Sequence, residues 1–292
     1  MIARQALRLE KWRLYKSRGF AWLAAFFLLC YPFAEARMLG VENRRVESAR
    51  ISPALSGFRI VFVSDIHWGQ WLSSARVDAL CGKINALQPD LILLGRDYAE
   101  DSDGAIAFFE RLPSLKARLG VAAVPGNHDR TLPESNYALL ERAMIGAGIR
   151  PLFNRAWSPV EGLVICGVDD VHNGHPDFEG ALAQADPADY TVLLCHSPAA
   201  LPQALAYGRF DLTLSGHTHG GQFGIWRTHP EVPERFQRGW NKEGGAWTLT
   251  SNGVGVSYFP MRIGATPQLH VITLEQDTEI PRGNGQGFST KA

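Results

Sequence analysis

Five short polar clusters follow one another along the chain, and each stands directly after an apolar run of strand length. They are Asp65-Ile-His67, Gly95-Arg-Asp97, Gly126-Asn-His-Asp129, His196 and Gly216-His-Thr-His-Gly-Gly221. Asp65 and Asp97 are 32 residues apart, and Asp97 and Asn127 are 30 apart. Each interval is about one strand-helix-strand unit. In an open α/β sheet the carboxyl ends of neighbouring parallel strands share one rim. These spacings therefore deliver the clusters to a common edge.

The segments between the clusters fit that rhythm. Phe58–Ser64 reads as a buried strand, Ser74–Leu87 as an amphipathic helix, Leu91–Leu94 as a strand, Gly104–Leu119 as a helix and Val121–Val124 as a strand. A helix near Pro133–Gly146 comes next, then strands at 149–153 and 163–168, a short helix near 178–184, and strands at 191–195 and 211–215. The last quarter reads as β throughout, which predicts an open helix-covered sheet completed by a mostly antiparallel second one. With 292 residues, 46% of them apolar, the chain can bury roughly three quarters of its unfolded surface. General disorder is excluded. Four cysteines, Cys30, Cys81, Cys166 and Cys195, are too scattered for a zinc knuckle or redox pair and read as buried free thiols.

Carboxylates, imidazoles and one amide oxygen converging on a rim make a mixed nitrogen and oxygen site without thiolates. Such a donor set suits Mn, Fe or Zn and is rich enough for two divalent metal ions, with one carboxylate bridging them. Taken singly the clusters are weaker signals, since Asp caps helices and Gly, Asn and Asp favour turns. Their ordered recurrence at strand ends is what packing alone does not produce. His172, His175, His229 and His270 fall outside the clusters and read as ordinary bonded or exposed histidines.

Twenty-nine Lys and Arg balance twenty-nine Asp and Glu, so no basic field for nucleic acid is expected. The balance hides a segregation. Residues 1–19 carry Arg4, Arg8, Lys11, Arg13, Lys16 and Arg18 against Glu10 alone. Phe20 to Ala34 then runs without a charge, and Ala34-Glu35-Ala36 fits a small-x-small cleavage site. That run is shorter than a comfortable bilayer span, and Pro32 is expected to break or kink a helix. A short retained anchor, a cleaved signal and an interfacial helix are the three readings, and the first and third associate the chain with a membrane through this segment. A spanning anchor would hold the basic leader in the cytoplasm and put the rest outside it. The chain thus divides into a basic leader at 1–19, a hydrophobic segment at 20–36, a linker or edge strand at 37–57, a catalytic domain at 58–276 and a flexible tail at 277–292.

Asp65-x-His67, Asp97, Gly126-Asn-His-Asp129, His196 and Gly216-His-x-His219 together resemble the calcineurin-like metallophosphoesterase superfamily over residues 58–275. Gly167-Val-Asp-Asp170 and Gly253-Val-Gly…Pro260-Met-Arg-Ile-Gly264…Pro267 resemble its membrane-associated bacterial phosphodiesterase branch, which is similar to UDP-2,3-diacylglucosamine pyrophosphohydrolases of lipid A synthesis. The resemblance implies an α/β, four-layer αββα sandwich with two central mixed β-sheets and a dimetal site at the strand C-terminal ends. It implies one metal on Asp65, His67, Asp97 and His219, and a second on Asp97, Asn127, His196 and His217. His128 is then the general acid, Glu100 its orienting carboxylate, and Asn127 and His128 contacts for the substrate. Arg96 replaces the branch's usual Gly, and either turns away from the site or adds a phosphate contact.

The implied activity is phosphoester or phosphoanhydride hydrolysis by a metal-bridging hydroxide, on a phosphoester or nucleotide-sugar lipid. A non-catalytic metal-binding scaffold and a general extracytoplasmic phosphatase are the alternatives. Sidedness selects the substrate pool, because a UDP-linked lipid is met on the cytoplasmic face whereas a spanning anchor places the domain outside. Trp68, Trp71, Phe223 and Trp226 stand near the motifs as candidates for an apolar approach.

Overall fold

The computed structural model describes residues 2–69, 71–131, 137–223 and 229–278, with side chains described from residue 19 onward. In chain order the helices and strands are α1 (Ile2–Glu35), β1 (Gly40–Ser48), β2 (Phe58–Ser64), α2 (Ser74–Ala86), β3 (Leu91–Gly95), α3 (Ser102–Arg111), β4 (Val121–Val124), α4 (Tyr137–Gly146) and β5 (Ile149–Pro151). They continue with β6 (Arg155–Val160), β7 (Leu163–Gly167), α5 (Phe178–Leu182), β8 (Tyr190–Leu194), α6 (Leu201–Ala206), β9 (Leu212–Ser215), β10 (Gly239–Glu243), β11 (Ala246–Thr250) and β12 (Gln268–Gln276).

Strand alternation builds the layers. On β2, Ile60 and Phe62 face one way and pack with Leu91, Leu93, Leu163, Ile165, Val192 and Leu212 in an apolar layer between two sheets. Val61 and Val63 face the other way, against Val77, Leu80 and Ile84 of α2 and Phe108 and Phe109 of α3. On the second sheet Val164, Cys166 and Leu193 turn outward to Phe178, Ala181, Leu201 and Ala204 of α5 and α6. The result is the expected αββα sandwich.

Each sheet has six strands, ordered β1-β12-β2-β3-β4-β5 and β10-β11-β9-β8-β7-β6. β2 to β5 are mutually parallel in the first, and β7, β8, β9 and β11 in the second. Both sheets are thus mixed, and the expectation of a mostly antiparallel second sheet is corrected. β6 and β10 are its antiparallel edges. β12 leaves for the first sheet, antiparallel to β2, where Ile272 and Leu274 cover the inter-sheet layer.

Three further local expectations change. α3 stops at Arg111, well short of Leu119, because Leu112 precedes Pro113 and a residue before proline is pushed out of the helical region. Pro32 does not break α1, which runs through it to Glu35. It stands in the last turn, where only a single backbone bond is forfeited. Cys30 is exposed, whereas Cys81, Cys166 and Cys195 are the buried free thiols expected. Residues 132–136 of the expected helix at 133–146, and most of the tail, lie outside the described residues. Among the described residues no helix is long and apolar enough to cross a membrane.

Candidate metal centre

The parallel strands of both sheets end on one rim, and the loops that follow them are tied together by their backbones. Asp65 N–H donates to Arg96 O, His67 N–H to Asp97 O and Trp68 N–H to Tyr98 O, at 2.8–2.9 Å. Asp129 extends the lacing, accepting from the N–H groups of Asp97, Tyr98 and Gly126 at 2.8–3.1 Å. Burial still pushes its carboxyl up to about 6. Asp65, His67, Arg96, Asp97, His217 and His219 all adopt positive φ, between 46° and 79°. Such backbones cost of order 1–3 kcal/mol each and persist where the surroundings over-determine them. Here they turn successive side chains into one space. Gly216 and Gly253 leave room for Asp65, since a Cβ on Gly216 would lie 2.2 Å from Asp65 Oδ2.

Two buried groups result, each able to hold a metal ion: Asp65, His67 and His219, and Asp97, His196 and His217; a third, more exposed group of His172, His217 and Glu231 shares His217 with the second. His67 Nε2 lies 3.1 Å from His219 Nε2, and His217 Nδ1 lies 2.8 Å from His196 Nε2. Asn127 Oδ1 joins the second group, 2.6 Å from His196 Nε2. Oδ2 of Asp97 stands between the groups, 3.8 Å from His67 Nε2 and 3.4 Å from His196 Nε2. All seven residues expected to hold metal therefore meet at one place.

The electrostatics suit cations. Burial raises the Asp65 carboxyl, and burial together with the charges of Asp129 and Asp65 raises Asp97 well above the ordinary range. Burial lowers His196 and His219 far below the usual imidazole value and takes His217 down to about 2, so these rings are neutral with a lone pair to give. Among the described residues Asp65 Oδ2 is buried without a hydrogen-bond partner. Buried carboxylates beside facing imidazole nitrogens, with an oxygen left over, are a donor set that divalent ions complete.

Two expectations are redrawn. Glu100 does not present its carboxylate to His128. Its Oε1 lies 3.1 Å from His67 Nδ1, while its main-chain oxygen lies 2.9 Å from His128 Nδ1. Glu100 thus orients both histidines, one with its side chain and one with its backbone. His128 N–H also donates to Asp97 Oδ1 at 3.2 Å.

Arg96 turns away from the rim. Its guanidinium is buried, donates to Val168 O at 2.6 Å and stands 3.8 Å from Asp170 Oδ2. It is not placed to contact phosphate. Arg96→Met leaves the buried Asp170 charge unpaired and is expected to cost about 3–5 kcal/mol of stability with KM unchanged. Denaturant unfolding and steady-state kinetics check this; a raised KM with full stability would restore the phosphate contact.

Beside the two groups lies a cavity of about 410 Å³ reached by Asp97, Asn127, His128, Phe223, Tyr258 and Phe259. Two larger grooves, of about 540 and 590 Å³, include no member of the metal groups. Phe223 is the aromatic expected at the approach. Trp68 packs toward Phe108, Trp71 donates Nε1–H to Tyr258 O, and Trp226 lies outside the described residues. Sequence reading missed Tyr258 and Phe259, which stand in a Pro/Gly-rich stretch without periodicity. It also set aside His172 and His229, whose rings lie 4.9 and 4.5 Å from that of His217, with Glu231 Oε1 3.3 Å from His229 Nδ1.

Residues 58–221 match the family model described as calcineurin-like phosphoesterase. The uncharacterized metallophosphoesterase YkuE of Bacillus subtilis is 28% identical over 256 residues, covering 83% of this chain and 88% of YkuE. The phosphodiesterase YaeI of Escherichia coli is 30% identical over 231 residues, 74% of this chain and 82% of YaeI. A transmembrane protein with a metallophosphoesterase domain from Bos taurus is 29% identical over 80% of this chain, which spans 57% of the bovine protein.

Proposed function

The chain belongs to the calcineurin-like phosphoesterase family and is a metal-dependent phosphoester hydrolase; we propose that it acts as a phosphodiesterase or pyrophosphohydrolase on a membrane-associated substrate. The observation that carries the assignment is Asp97 Oδ2, set between an Asp65-His67-His219 group and an Asn127-His196-His217 group. Each group with Asp97 would hold one divalent ion. When bound, the two ions supply Lewis-acid charge to the phosphoryl oxygens and an activated water.

The protein's own residues position and move protons. Asp97, with Oδ2 between His67 and His196, would be shared by both ions. Asn127 and His128 reach the cavity that admits the phosphoryl group. His128, whose Nδ1–H donates to the Glu100 carbonyl, would act as general acid in its imidazolium form, giving the Nε2 proton to the departing oxygen and returning to the neutral ring. Glu100 fixes the direction of that ring and of His67.

An amphiphilic substrate is supported by two features. Phe20, Trp22, Leu23, Phe26 and Phe27 of α1 are 63–78% exposed, a surface suited to a bilayer or its interface. Tyr258 and Phe259, largely exposed, border the cavity from the segment that packs on the end of the same helix. The similarity to the phosphodiesterase YaeI favours cleavage of a phosphodiester, and the hydrophobic leader together with the motif resemblance favours a nucleotide-sugar lipid such as UDP-2,3-diacylglucosamine. The test supplies Mn²⁺ and compares bis-p-nitrophenyl phosphate, UDP-2,3-diacylglucosamine in mixed micelles and a soluble UDP-sugar. Hydrolysis of the diester, with release of uridine monophosphate from the lipid in preference to the soluble sugar, is expected. Equal rates on the two UDP compounds would remove the lipid preference, and no hydrolysis of any would favour a scaffold.

A further inference from the structure

Glu35, the last residue of the hydrophobic helix, is a carboxylate 1% exposed. Its Oε2 accepts from Gly264 N–H at 3.1 Å, and its Oε1 accepts from Ala265 N–H at 3.1 Å and Thr266 Oγ1–H at 3.0 Å. One turn earlier, Pro32 O accepts from Arg262 N–H at 2.9 Å. Pro32 O and the Glu35 side chain thus both reach one segment, 262–266, more than two hundred residues away in sequence, while the carbonyls of Phe33, Ala34 and Glu35 accept from Arg37 and Met38. Ala36, next in the chain, is buried as well.

Arg262 carries the contact inward. Its guanidinium is fully buried and donates to the main-chain oxygens of Gly255 and Ala265, each at 2.6 Å. Gly255 N–H in turn donates to Asp65 O at 2.7 Å. The same guanidinium lies 3.3 Å from both the main-chain oxygen and Nδ1 of His219. A guanidinium can only donate. It donates to the main-chain oxygen of His219; with Nε2 keeping its lone pair for an ion the ring proton sits on Nδ1, so the approach to Nδ1 is a packing contact in the ion-bound form, and Nε2 is the His219 atom turned toward His67. Asp65 and His219 both sit at positive φ, a backbone that neighbours must hold in place. No hydrogen bond of Arg262 among the described residues reaches Asp97, His196 or His217.

We infer that Glu35 and Arg262 are positioning residues for the Asp65-His67-His219 ion site, so that the last turn of α1 is a built-in part of the metal centre and is retained in the working protein. A segment released after Ala36 would take Glu35 with it and free the 262–266 segment behind His219. The inference rests on the reading that this group holds an ion.

The test is Mn²⁺ titration of the full chain followed by equilibrium dialysis, alongside thermal unfolding without added ion and intact-mass measurement of the purified protein. The wild type should bind two ions. Arg262→Met should weaken one class of site, the one abolished by Asp65→Asn, by about 10–100-fold and leave the other unchanged. Arg262→Lys, which keeps a donor, should recover part of the loss, and Glu35→Ala should weaken the same class. If Arg262→Met does not fold, Arg262→Lys and Glu35→Ala decide. Folded variants that bind both ions as the wild type does, or that weaken both classes equally, would overturn the inference, as would a two-ion protein whose mass begins at Arg37. A wild type that binds fewer than two ions would instead strike the hydrolase reading on which it stands.

Discussion

Asp97→Asn is expected to lose at least one of two bound metal equivalents and to lower kcat/KM by about three orders of magnitude or more. The reason is its location between the two imidazole groups, with one oxygen facing both. An amide in its place offers a single neutral oxygen where a shared anion is needed, and leaves two cations a few ångströms apart without the charge that separates them. Metal stabilisation of developing phosphoryl charge amounts to several kcal/mol, and every 1.36 kcal/mol is a factor of ten in rate. Metal analysis of the purified variant, paired with diester hydrolysis, checks both halves. A variant with full metal content and full activity would remove Asp97 from the bridging position.

His128→Ala should separate chemistry from metal binding. The side chain belongs to neither metal group, and its contribution to the lacing of the loops is the main-chain N–H to Asp97 Oδ1, which alanine retains. Two metal equivalents should therefore remain while kcat falls by about 10²–10⁴-fold, the range for removal of a general acid. The loss should shrink for substrates with a good leaving group such as p-nitrophenolate, which needs little protonation, and be fullest for alkyl esters. A comparable loss on both would mean that the imidazole acts on the phosphoryl oxygens instead. Loss of metal would make His128 a ligand.

Much of the fold and site was legible because the central strands β2, β3, β4, β7, β8 and β9 are buried on both faces and so appear as nearly uninterrupted apolar runs, with the site's polar residues where they stop. Asp65, Asp97, Asn127, His196 and His217 each mark such a stop, and their order alone predicted a shared rim. What could not be read depends on which atoms meet after folding. Glu100 was placed on His128 by its position three residues after Asp97, yet its longer side chain reaches His67 and its carbonyl does the orienting. Arg96 sits inside a metal motif, and only the folded chain shows Asp170 of another strand end waiting for its charge. β12 carries the same alternation whichever sheet it joins, so its departure to β2 is decided by packing. The α3 stop at Pro113 was written in the sequence and outweighed there by the apolar spacing beyond it. Glu35 and Arg262 gave no local signal, since a carboxylate after an apolar helix and an arginine in a loop are both ordinarily solvated.

A crystal of the Mn²⁺-loaded protein, with anomalous scattering collected at the manganese edge, bears most directly on how this chain works. Two peaks are expected about 3.5–4 Å apart, one against Asp65, His67 and His219, the other against Asn127, His196 and His217, with Asp97 touching both. A single peak, or two peaks that Asp97 does not join, would contradict the two-ion phosphoester hydrolase derived from this site.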